Sequence, residues 1–121
     1  MPHIVLNGNV DLEKIQDEFQ VIFEKNDHII RLKEMYVNSS KNNALVHTLV
    51  IDEENQEFFI EVLTSKDKTT IRLYPLTDPK KTDSVKISMV LLCGFIKKIY
   101  PDLLVGKTNL QDYLSKVQIP C

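Results

Sequence analysis

Apolar and polar residues alternate through the middle of this 121-residue chain, whereas apolar residues recur at helical spacing on either side. Between His28 and Leu76, four segments rich in β-branched and aromatic residues are separated by short polar turns. Because the connections are short, the pattern favours an antiparallel meander. The predicted strands cover residues 29–37, 45–51, 58–64 and 69–74.

The segments that flank this region have the periodicity of amphipathic helices. Residues 12–25 are predicted to form a helix with Asp11 as its N-cap. A second helix is predicted near residues 83–99, and a short C-terminal helix is predicted from Leu110 to Val117. Two short apolar stretches are further candidates, a strand at 4–6 and a small strand or buried connection at 103–105.

The second helix is the most apolar element of the chain. Either Thr82 or Asp83 is its predicted N-cap. Leu91 and Phe95 widen its main apolar row, which consists of Val85, Met89, Leu92, Ile96 and Ile99. We therefore expect this helix to lie across the sheet.

Together these elements predict a single α+β domain over residues 1–121. The expected architecture is a mostly antiparallel sheet of about five strands, with the two main helices packed on one face and a short C-terminal helix.

The predicted strands carry apolar residues at both even-numbered and odd-numbered positions, which point to opposite faces of a sheet. Val46 and Val50 alternate with other apolar residues of their strand, and so do Phe59 and Leu63. The sheet is therefore expected to be apolar on both faces, although the helices cover only one of them. We expect a homo-oligomer that buries the second face.

The composition narrows the class of protein. Hydrophobic residues make up 43% and charged residues 26% of the chain, which is ordinary for a soluble globular domain. A net charge of −2 argues against nucleic-acid binding, and no apolar run is long enough for a membrane span. The acidic N-terminal segment does not resemble a signal peptide, so we expect a cytoplasmic protein.

Few residues form a recognisable chemical motif. The stretch 106–108 ends like a phosphate-binding loop, but Pro101 stands where that motif needs its first glycine, and a helix-entry turn is the better interpretation. His47 alternates with leucines and is predicted to be a packed strand histidine with one hydrogen bond. Cys93 is predicted to be a small core residue. We predict no metal and no cofactor.

The start of the chain carries a family resemblance. Removal of Met1 would leave Pro2 as a secondary amine, which in a partly apolar pocket can act as a general base near neutral pH. A proline followed by a strand and then a helix resembles the tautomerase superfamily, the N-terminal-proline isomerases. Residues 45–49 are also similar to an internal strand of the carboxymethyl-hydroxymuconate isomerase branch.

This resemblance implies an isomerase that moves a proton between carbon and oxygen of a keto/enol substrate. Pro2 would be the catalytic base, and the subunits would form a trimer or a related oligomer. Arg31 and Arg72 carry the only guanidinium groups of the chain, and we expect them to hold a small carboxylate ligand.

A second hypothesis belongs to another functional class. In it the protein is non-catalytic, and its oligomeric sheet binds a partner or a small ligand. The sequence alone leaves both hypotheses open.

Overall fold

The computed structural model describes residues 1–114 and consists mainly of strands. Two α-helices and two single turns of 3₁₀ helix, Pro75–Thr77 and Gln111–Tyr113, complete the described part. In chain order the elements are β1 (His3–Leu6), α1 (Leu12–Glu18), β2 (Ile22–Lys25), β3 (Ile29–Val37), β4 (Asn43–Ile51), β5 (Asn55–Thr64), β6 (Thr69–Leu73), α2 (Asp83–Ile99) and β7 (Val105–Thr108).

The strands form one antiparallel sheet that curls into a half-barrel, in the order β2-β3-β4-β5-β6-β1-β7. Strands β2 to β6 follow one another as a meander, and β1 returns to pair with both β6 and β7. The prediction of about five strands with two main helices packed on one face is therefore wrong. The sheet has seven strands, and the first helix is much shorter than expected.

The region predicted as one helix over 12–25 contains a helix and a strand. Asp11 caps α1 as expected, since its carboxylate accepts hydrogen bonds from the next backbone amides. The helix ends after Glu18, where Phe19 takes an extended conformation. Residues 22–25 then pair with β3. The apolar positions of this short segment fit both the helical period and the alternation of a strand. Its pairing with β3 outweighs the helical pattern.

The end of the described chain also differs from the sequence interpretation. Residues 106–108 lie in β7 and form no helix-entry turn. The Thr108 hydroxyl donates a hydrogen bond to the His3 carbonyl at 2.8 Å and so fastens β7 to β1. Of the predicted C-terminal helix, Gln111–Tyr113 forms a single 3₁₀ turn, and the part beyond residue 114 lies outside the described residues.

Helix α2 covers the inner face of the sheet and has the predicted bounds. Thr82 is its N-cap and accepts a hydrogen bond from the backbone amide of Val85. Four residues of its main apolar row, Val85, Met89, Leu92 and Ile96, are fully buried in the core, and the fifth, Ile99, is half-buried. Cys93 is also fully buried in the core, as expected, but it is disulfide-bonded and so is no core thiol.

No helix within residues 1–114 combines the length and hydropathy of a membrane span.

The two faces of the sheet differ in burial. In β4, Val46 and Val50 are completely buried on the inner face, whereas Leu45 and Leu49 are half-buried on the outer face. Tyr36 is 53% exposed on the same outer face. The outer face is thus apolar in part, and neither α-helix packs on it.

Candidate functional site

A cavity of about 1000 Å³ lies between α1, β2 and the C-terminal half of α2. We call it the helix–strand cavity. Its α2 wall consists of Leu91, Phe95 and Ile99, which are four residues apart and so share one side of the helix. All three side chains are half-buried, whereas Met89, Leu92 and Ile96 of the same helix are fully buried. The broad apolar stripe of α2 therefore serves two purposes, the core and the cavity wall.

The opposite wall is the edge strand β2. Alternation places Ile22 and Glu24 towards the inner side, since they pair in register with the buried Leu32 and Ile30. Phe23 points to the other side and is 51% exposed. Consequently, Glu24 lies on the side of β2 that faces the cavity, whose lining combines apolar and polar side chains.

The side chains of Glu24 and His28 form a pair whose facing atoms are buried. Glu24 Oε2 lies 3.7 Å from His28 Nε2, which is too long for a hydrogen bond. Both atoms are buried and have no hydrogen-bond partner within the described residues. A buried polar atom without a partner costs roughly 1–3 kcal/mol of folding free energy unless water or a ligand bonds it. The two atoms therefore face each other inside the fold, and of the two residues only Glu24 lines the helix–strand cavity.

The rim of the cavity carries both signs of charge. Lys14, Lys25 and Lys98 contribute three ammonium groups, and Glu18 contributes a carboxylate. These four side chains are exposed, so solvent screens their charges. Lys14 Nζ also lies 5.3 Å from the centre of the Tyr100 ring. The rim is thus mildly basic, whereas the interior presents a carboxylate.

The structure places the predicted catalytic residue away from this cavity. Pro2 is buried just before β1, and it lines neither the helix–strand cavity nor the smaller cavity described below. The carbonyl of Met1 accepts a hydrogen bond from the Asn109 side chain at 2.7 Å. The role of Pro2 stays a prediction.

The two predicted substrate-binding arginines lie on the outer face of the sheet. Arg31 is exposed on β3, and its guanidinium carbon lies 5.2 Å from the centre of the Phe23 ring. Arg72, on β6, lines a cavity of about 400 Å³, and its guanidinium donates a hydrogen bond to the Glu61 carboxylate. Three strand spacings separate β3 from β6, roughly 14 Å at the usual spacing. The structure therefore does not bring Pro2, Arg31 and Arg72 together in one pocket.

His47 has the environment that the sequence predicts, a half-buried strand position with one hydrogen bond. Its Nε2 lies 2.7 Å from Glu57 Oε2, and its ring stacks on Phe59 with centres 5.3 Å apart. The hydrogen bond with His47, followed by the charge of Lys33, lowers the pKa of Glu57. Within residues 1–114, no three side chains of metal-binding type converge on one point.

Sequence reasoning missed both members of the polar pair. The helix predicted over residues 12–25 includes Glu24, and no motif in the sequence singles out His28. A usable signal is the parity of Glu24, which matches that of Ile22 once residues 22–25 are recognised as a strand. That recognition depends on the distant pairing partner.

Comparison of the chain with protein-family models, with curated proteins and with solved structures gave no match.

Proposed function

We propose that this chain is a non-catalytic binding protein that holds a small, partly apolar ligand in the helix–strand cavity. One observation carries the proposal: a cavity of about 1000 Å³ lies between an apolar wall of α2 and the edge strand β2, which contributes Glu24 to its lining. Ligand sites commonly have such a volume, with mostly apolar walls and a few polar groups that orient the ligand.

The half-buried wall of α2 supports binding more than a purely structural role. Leu91, Phe95 and Ile99 remain partly open to solvent, although the core beside them is closely packed. Phe95 is held in place because its ring packs edge-to-face on Phe19, with centres 5.7 Å apart. A ligand body that covers this wall gains apolar burial without requiring the core to rearrange.

The isomerase hypothesis based on Pro2 remains a separate proposal. Its support is the resemblance at the start of the chain, and it requires removal of Met1. A cytoplasmic location and self-association through the outer sheet face are likewise proposals, the second supported by the half-buried apolar residues on that face.

Binding can be tested with N-phenyl-1-naphthylamine, a neutral fluorophore whose emission rises in apolar surroundings. We expect saturable binding by the unmodified protein. Leu91→Trp should weaken it about tenfold or more, because the indole fills the cavity. Leu104→Trp is the matched control, since Leu104 is 67% exposed and does not line the cavity.

Thermal unfolding of each variant would show whether it remains folded. Ile99→Trp gives a second, independent way to fill the same cavity. Equal affinity of the unmodified protein and both cavity-filling variants would overturn the proposed function.

A further inference from the structure

We propose that the smaller cavity, which Arg72 lines on the outer face of the sheet, binds a phosphate group. We call it the hairpin cavity, because it lies beside the turn that joins β5 to β6. It shares no lining residue with the helix–strand cavity, so this inference does not depend on the proposed function.

The lining of the hairpin cavity is polar and positively charged. Its volume is about 400 Å³, and among the described residues that line it only Leu63 is apolar. Two cationic side chains, Lys68 and Arg72, belong to the lining, and no aspartate or glutamate within residues 1–114 does. The cavity is therefore suited to an anion.

The alternation of β6 brings these side chains to one face. Thr70 and Arg72 are two residues apart on the strand and project from the same side, whereas Thr69 and Ile71 are completely buried on the other side. Lys68 directly precedes the strand, two residues before Thr70, and lines the same cavity. Two cations and a hydroxyl thus face one space.

The Glu61 carboxylate holds the Arg72 side chain in a fixed direction. Arg72 Nε donates to Glu61 Oε1 at 2.7 Å, and Asn43 Nδ2 donates to Glu61 Oε2 at 2.8 Å. The N–H groups on the two Nη atoms of Arg72 have no hydrogen-bond partner within residues 1–114, and 41% of the side chain is exposed. A positioned guanidinium therefore keeps most of its donors available to a ligand.

Lys68 supplies a second positive charge. Its side chain is exposed and forms no ion pair in the part of the chain that the structure describes. The charge of Glu61 offsets part of the charge of Arg72, so the ammonium of Lys68 leaves the site with a net positive charge. The Thr70 hydroxyl and the Asn42 amide, which also line the cavity, add uncharged donors.

A phosphate group matches this set of donors better than a carboxylate does. A guanidinium binds phosphate oxygens through two parallel N–H···O bonds, and a lysine binds phosphate as a point charge. A phosphate has more acceptor oxygens than a carboxylate, so Arg72, Lys68 and Thr70 can donate to it together. It also carries a charge of roughly −1.5 to −2 at pH 7, which gains more from two cations than a single charge does.

NMR titration with inorganic phosphate tests the site directly. The chain has two arginines, so the Nε–H signals of Arg72 and Arg31 can be followed side by side near neutral pH. We expect saturable shifts of the Arg72 signal and of the backbone amides of residues 68–72, while the Arg31 signal stays unchanged. Sodium chloride keeps the ionic strength constant, so screening does not contribute. Acetate, titrated in the same way, should bind at least about fivefold more weakly.

Variants connect phosphate binding to the two cations. Lys68→Met and Arg72→Lys should each weaken phosphate binding at least about fivefold, because each removes charge-assisted hydrogen bonds. Lys66→Met is the matched control for the first variant, since Lys66 is exposed in the same turn and does not line the cavity. Arg31→Lys is the matched control for the second. Thermal unfolding shows whether each variant remains folded, and Arg72→Lys retains a cation beside Glu61.

Three results would overturn the inference. The first is a set of phosphate-induced shifts that do not saturate, or that are equally large for Arg31 and Arg72. The second is unchanged phosphate affinity in both Lys68→Met and Arg72→Lys. The third is acetate binding as tight as phosphate binding, which would assign the cavity to a carboxylate. Each of these results leaves the function proposed for the helix–strand cavity standing.

Discussion

Arg72 Nε donates a hydrogen bond of 2.7 Å to Glu61 Oε1 and thereby holds a carboxylate that is almost fully buried in the outer face of the sheet. Glu61 lies opposite Arg72 in the register of β5 and β6, and its second oxygen accepts a hydrogen bond from Asn43 at 2.8 Å. Because both oxygens of the carboxylate accept a hydrogen bond, these bonds offset the free-energy cost of burying its charge.

Removal of the guanidinium should therefore destabilise the protein. We expect Arg72→Met to lower the free energy of unfolding by roughly 1–3 kcal/mol, since it leaves the buried Glu61 carboxylate without its cation. Urea unfolding at neutral pH measures the change. Arg31→Met is the matched control and should cost less than about 0.5 kcal/mol, because Arg31 is exposed and forms no ion pair within residues 1–114. Similar losses for the two variants would contradict the assigned role of Arg72.

His47 should control the titration of Glu57. The pKa of Glu57 is held below its ordinary value of 4.5, chiefly by the hydrogen bond with His47. Because the carboxyl pKa is lowered by folding, the ionised Glu57 stabilises the folded protein above pH 4.5. This stabilisation is lost as the pH falls through the folded-state pKa of Glu57. In His47→Phe the pKa of Glu57 should rise towards 4.5. The loss of folding stability that Glu57 causes at low pH should then become smaller.

Titration of the Glu57 side chain by carbon-detected NMR between pH 2 and 7 gives the pKa directly. Lys33→Met provides a comparison, since Lys33 Nζ lies 3.6 Å from the same carboxylate and is the second cause of the shift. It should raise the pKa of Glu57 less than His47→Phe does. The reverse order would contradict the prediction.

Self-association through the outer face of the sheet should be visible in sedimentation velocity. We expect an oligomer at high micromolar concentration, because half-buried apolar residues of β4 and β5, among them Leu45 and Phe59, lie on that face beside polar side chains. Leu45→Lys should shift the distribution towards monomer. Leu104→Lys changes an exposed leucine elsewhere and should leave it unchanged. A monomer at all concentrations would show that the apolar outer face is tolerated in the single chain.

The Pro2 hypothesis depends first on processing of the N-terminus. Mass spectrometry of the protein from its native host shows whether Met1 is retained, and retention blocks the amine. If Met1 is removed, the hypothesis predicts keto/enol proton exchange on small 2-oxo acids that falls at least about tenfold in Pro2→Ala. Equal rates for the two proteins would dismiss Pro2 as the base.

Local pattern predicted the long elements well. The bounds of α2 follow from a strong apolar period and from Thr82, whose side chain accepts a hydrogen bond at the helix N-terminus. The four-strand meander follows from alternation over segments bounded by polar turns. These signals act within a few residues, so they can be seen without knowledge of the rest of the chain.

The short strands β2 and β7 could not be assigned in the same way. Each has four residues, and its stability comes from pairing with a neighbouring strand. For β7 that neighbour is β1, about a hundred residues earlier in the chain. A pattern of four residues is too short to separate a strand from the end of a helix.

The sequence by itself determined the largely antiparallel sheet, the helix across it and the apolar character of both sheet faces, because alternation and helical period express burial directly. Only the tertiary structure decided that residues 22–25 form an edge strand, and this single decision turns Glu24 inward. The helix–strand cavity and the pair of Glu24 and His28 follow from that placement. The cavity lies between β2 and α2, segments about seventy residues apart, and no local pattern encodes the space between two distant elements.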